Sequence, residues 1–90
     1  MDAFYHDIPM AQAVEMERLS RLIHELRSHR NTLLSAWQVD GEAALAGRIE
    51  RGEVDEHPAY EAWLSLRILE DTREGARTVL AQHLDSAKRG

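Results

Sequence analysis

Apolar residues along this chain return every three or four positions, with charged residues filling the intervals. That spacing lines one side of an α-helix, whose turn of about 3.6 residues stacks positions i, i+3, i+4 and i+7. Met16, Leu19, Ile23, Leu26, Leu33 and Trp37 carry the first stripe, and Leu22 and Leu34 widen it into the broad apolar face of a core helix. Pro9 suits the start, because its missing N–H removes a donor that a helix beginning leaves unpaired. One long amphipathic helix is predicted over about 9–38.

Asp40-Gly41 interrupts the pattern, and Asp40 is the expected N-cap of a shorter helix over about 41–51 that carries Ala43, Ala44, Leu45 and Ile49. Gly52 supplies its stop, since glycine enters the left-handed conformation that ends many helices. The run Glu53-Val54-Asp55-Glu56-His57 reads as an acidic loop, and Pro58 is expected to open the third helix after pushing His57 out of helical geometry. Ala59, Ala62, Leu66, Leu69, Ala76, Leu80 and Ala87 repeat the three-four stepping, with Trp63, Ile68, Val79 and Leu84 beside them, over about 58–86. Gly75 lies inside this helix, where glycine costs about 1 kcal/mol relative to alanine. It either admits another backbone or bends the helix.

The predicted fold is all-α: a long-short-long helical hairpin of three helices in a single domain over 9–90, preceded by a flexible segment at 1–8. Folding back antiparallel brings Trp37 near Trp63 and Leu19 near Val79. Two helices cover only one side of each other, so each apolar arc is wider than one hairpin needs. A second copy completing a four-helix-type bundle is the expected remedy, with a different helical protein as the competing partner.

Composition closes several functional classes. There is no cysteine, which removes disulfides, thiolate zinc sites and cysteine nucleophiles. Sixteen acidic against eleven basic residues leave a net charge of −5, the wrong sign for wrapping a phosphate backbone. The acidic loop ahead of the third helix likewise argues against a helix-turn-helix reading, whose recognition helix must tolerate phosphates. No apolar run reaches the roughly 18 residues of a membrane span, and the first residues lack the pattern of a secretory signal, so a cytoplasmic setting is expected.

The middle of both long stripes is polar. Between Leu26 and Leu33 the seam passes His29 or Arg30, and between Leu69 and Ala76 it passes Arg73, with Glu25, Glu70 and Glu74 as available counter-charges. A polar layer there sets helix register or, alternatively, its long side chains reach solvent from the stripe's edge. Glu25, His29, Arg30, Glu70 and Arg73 are thus the expected residues of any internal polar pocket. No metal or cofactor set is legible. His24-Glu25 and His29 differ from the HExxH zinc pattern by one residue, and histidines five apart do not share a helix face. Di-iron bundles use a Glu-x-x-His step that this chain lacks. Glu53, Asp55, Glu56 and His57 do not have the spacing of a calcium loop. No catalytic residue is assigned.

The segment Ile68-Leu69-Glu70-Asp71-Thr72, followed by Gln82-His83-Leu84, resembles the last helix of the all-helical chorismate mutases. The resemblance implies a long-short-long chain pairing as a dimer and a dicarboxylate site built from arginines, a lysine and a glutamine. Thr72 falls where that family has a small hydroxyl residue, whereas Ala76 falls where it has a polar side chain facing the breaking ether bond. Lys88 is the sole lysine, and Arg18, Arg30 and Arg48 are the remaining sources of positive charge for such a site.

The expectation for function is therefore a small non-enzymatic interaction protein, an adaptor, regulator or co-chaperone-like subunit working through apolar helix faces. Its expected binding face is Leu19, Ile23, Leu26, Leu33, Trp37, Trp63, Leu66 and Leu80, where aromatic anchors commonly dominate. The alternative is a chorismate-mutase-like dimer that binds a small anionic dicarboxylate.

Overall fold

A computed structural model describes residues 8–89, so most of the N-terminal segment expected to be flexible lies outside the described residues. Three helices follow in order: α1, Met10–Trp37; α2, Glu42–Glu50; and α3, Glu56–Arg89. The long pair, α1 and α3, are the two arms of an antiparallel hairpin, and α2 packs on α3 near the closed end. Among the described residues there is no strand. The long-short-long reading holds. The molecule is a rod of 55 × 20 × 17 Å.

The helix ends depart from the expected ones in ways that local chemistry explains. α1 stops before Asp40-Gly41, because Gln38 adopts the left-handed conformation (φ 54°, ψ 46°). The Gln38 N–H then donates to Ser35 O and the Val39 N–H to Leu34 O, at 3.2 and 3.0 Å. This is the Schellman arrangement, in which two otherwise unpaired carbonyls of the last turn find donors. Val39 packs against the core cluster that contains Leu34, and that apolar contact fixes the chain reversal without a glycine. Asp40 is not the cap of α2. Gly41 occupies the N-cap position with extended backbone, and no side chain caps the helix.

Gly52 behaves as expected, with φ 70° and its N–H donating to Ile49 O while Glu53 N–H donates to Arg48 O. The third helix, by contrast, begins two residues before Pro58, at Glu56. Proline fits here because the first turn has no intrahelical acceptor for its N–H groups, so none is lost at Pro58. The first bond closing the turn is Ala59 N–H to Asp55 O, 3.2 Å. At the far end α3 runs past Ser86 to Arg89, and Lys88 and Arg89 lie in its last turn, favourable to the helix dipole.

The core sits at the closed end. Leu34, Leu45, Ala59, Ala62 and Leu66 form one buried cluster, flanked by half-buried Leu33, Trp37, Val39, Ile49, Val54 and Trp63. Small residues of α3 face large ones of α1 and α2, which lets the three axes approach closely and interlock at normal packing density. Toward the open end Met16 and Ala76 are buried, but Leu19, Ile23, Leu26, Leu80 and Leu84 remain half-buried. No third helix covers them there.

Candidate functional site

Two features dominate the hairpin beyond its core: a charged junction at its middle and a partly covered apolar strip along its length. At the junction the seam of α1 passes through Arg30 rather than His29. Arg30 Nε lies 3.0 Å from Glu70 Oε2, and Arg73 NH1 lies 3.3 Å from Glu70 Oε1, so one carboxylate of α3 serves two guanidinium groups. The Arg73–Glu70 contact is a hydrogen bond. The Arg30–Glu70 contact neutralises charge without hydrogen-bond geometry, which leaves the buried Glu70 Oε2 lacking a directional donor.

Of the five residues expected in a polar pocket, Arg30, Glu70 and Arg73 therefore meet. Glu25 and His29 do not; both are exposed on α1. The junction borders an open hollow of about 310 Å³ lined by Arg30, Gly41, Glu42, Ala43, Leu66 and Glu70. Glu42 of α2 pairs with Arg67 of α3 at 3.5 Å, so carboxylates and guanidinium groups balance around the hollow. Sequence spacing did not indicate Glu42, because its approach depends on how α2 folds onto α3.

Two further arginines, Arg48 and Arg51, are likewise engaged in structure. Arg48 donates to Trp37 O at 2.7 Å, bringing positive charge to the carbonyl end of α1 where the helix dipole is negative. Arg51 grips Glu53 at 2.9 and 3.1 Å, Val54 turns into the core cluster, and Asp55 O starts α3. The acidic loop thus has a local structural role. Arg18 is exposed on α1. Among the described residues no group of three or more histidine, aspartate and glutamate side chains converges to hold a metal ion.

The residues expected to form a binding face fall into three settings. Leu66, 2% exposed, is inside the hairpin core. Leu33, Trp37 and Trp63 flank that core and are half-buried. Trp37 and Trp63 share one cluster, as antiparallel folding requires; Trp63 also stacks at a tilt on Tyr60, ring centroids 5.6 Å apart, and has the Arg67 guanidinium 5.7 Å from its ring. Leu19, Ile23, Leu26 and Leu80 form the half-covered strip of the open end. Val79, expected near Leu19, is 40% exposed, and Tyr60, Leu64 and Ile68 are also on the exposed side of α3. The sequence carries the spacing of that outer line, but the width of the apolar arc hides which edge faces the partner helix.

Neither a curated protein nor a solved structure matches the chain. A family model does match, over residues 10–87, which takes in α1, α2 and nearly all of α3. The match takes in the hairpin and its short middle helix, and the chain belongs to the uncharacterized protein MJ0235 family.

Proposed function

We propose that this protein is a small helical interaction module that works through apolar helix faces, with its own second copy or another helical protein as partner. The observation that carries the reading is the surplus of apolar surface. Met10, Val14, Leu22, Tyr60, Leu64, Ile68 and Val79 are exposed large apolar residues in a rod whose main buried cluster lies at one end. Apolar side chains left uncovered in a line along one helix, as Tyr60, Leu64 and Ile68 are, offer a surface for association. The charged junction supports this reading over a dicarboxylate site, because Arg30 and Arg73 already converge on Glu70.

Light scattering across a wide concentration range, paired with the fluorescence of an apolar-surface dye, tests the reading. Association, or strong dye binding by a monomer, is the expected result. A monomer at every concentration that leaves the dye dark would overturn it. A substitution at Leu66 is unsuitable for this test, since a charge there acts on the hairpin core itself.

A further inference from the structure

The outer side of α3 carries apolar residues that the hairpin does not use. Tyr60, Leu64, Ile68 and Val79 are 51%, 42%, 57% and 40% exposed, and steps of four place the first three in one line along the helix. Exposed Thr72 and Gly75 continue the line between Ile68 and Val79. The buried residues Ala59, Ala62, Leu66, Leu69 and Ala76 occupy the opposite side. A side chain starting at Gly75 would meet nothing within 4 Å, so packing within the hairpin does not account for glycine at that position.

We infer that this line is the seam of a homodimer in which α3 packs antiparallel on α3 of a second copy; the inference rests on the interaction reading above and names its face and occupant. Placing the two-fold axis level with Leu69 and Glu70 sets Leu64 opposite Gly75 of the second copy, so the larger side chain enters the space that glycine leaves. In the same register Arg67 flanks Glu74 of the second copy, and Glu74 flanks its Arg67. Asp71, which lies along the seam, has the same arginine of the second copy within reach. A parallel pairing would set Arg67 beside Thr72 and Glu74 beside Val79, with no counter-charge across the seam for either, only their intrachain partners Glu42 and Arg77. The pattern is self-complementary only in the antiparallel sense, which is the property an isologous interface requires.

Arg67 already pairs with Glu42, but its side chain stays 48% exposed and a guanidinium carries five donors, enough for a second carboxylate.

Sedimentation equilibrium on the full chain and on variants tests the seam. The wild-type chain should be a dimer, and Ile68→Glu should raise its dissociation constant at least about 100-fold, with the far-ultraviolet circular dichroism unchanged, because a charge is then buried against an apolar seam. Arg67→Glu and Glu74→Arg should each weaken association about 5-fold or more, and the double variant should recover most of the loss, as coupled charges do. Undiminished association of Ile68→Glu, or a double variant no better than either single one, would overturn the seam. In that case association uses another face, and the interaction reading survives alone. A wild-type monomer overturns the seam as well, and the dye experiment then decides whether the broader reading falls with it.

Discussion

Gln38 holds a conformation that side-chain-bearing residues avoid, and it does so because its neighbours leave little choice. The left-handed turn lets Val39 reach the core and lets Arg48 meet Trp37 O. A glycine removes the steric cost of that conformation while losing little else, so Gln38→Gly should stabilise the chain by about 0.5–1 kcal/mol in urea unfolding. Glu70 presents the converse situation. Arg30 and Arg73 depend on one carboxylate, and Glu70→Gln leaves both arginines unneutralised in a half-buried position. The expected loss is about 1 kcal/mol, discounted for the 42% exposure of the glutamate side chain. A loss that fades in high salt would identify its origin as electrostatic.

At the level of the helices, α2 is the element whose contribution is least apparent from its length. Nine residues make a helix too short to persist alone, and its stability comes from Leu45, which is completely buried among Leu34, Ala59, Ala62 and Leu66. Leu45→Ala should therefore cost about 3 kcal/mol, within the range of leucine truncations in cores, and should loosen α2 before the long helices melt. Circular dichroism with urea unfolding measures the first, and amide exchange in 42–50 measures the second. The periodicity of α1 and α3 was legible because each stripe repeats many times. Their ends were less legible: a Schellman turn closed at Gln38 by two backbone hydrogen bonds and a helix begun ahead of Pro58 depend on local bonding that spacing does not encode.

The whole rod is unevenly held. Its closed end has three helices around a shared core, while its open end has two helices joined by Met16, Ala76 and the Gln12 side-chain amide donating to His83 O at 3.3 Å. Local opening should follow that gradient. Hydrogen exchange in a monomeric background such as Ile68→Glu should show lower protection for amides in 14–24 and 78–86 than for those around Leu34, Leu45 and Leu66. Uniform protection along both arms would show that the half-covered strip is firmer than its packing implies.

The hairpin follows from local rules that the chain states many times over. Hydrophobic residues at three-four spacing dictate long amphipathic helices, a glycine at position 52 dictates a stop, and the interruption near position 40 dictates a reversal. The expected polar layer was half legible for the same reason: Arg30, Glu70 and Arg73 lie in the seams, whereas Glu25 and His29 turn to solvent. Packing settled what spacing left open. An apolar arc wider than one contact can be buried along either edge, and only the approach of α1 and α2 to the small residues of α3 determined that Leu66 goes inside while Ile68 stays out. Burial depends on which surfaces meet, and that is a property of the assembled helices rather than of any one stretch of sequence.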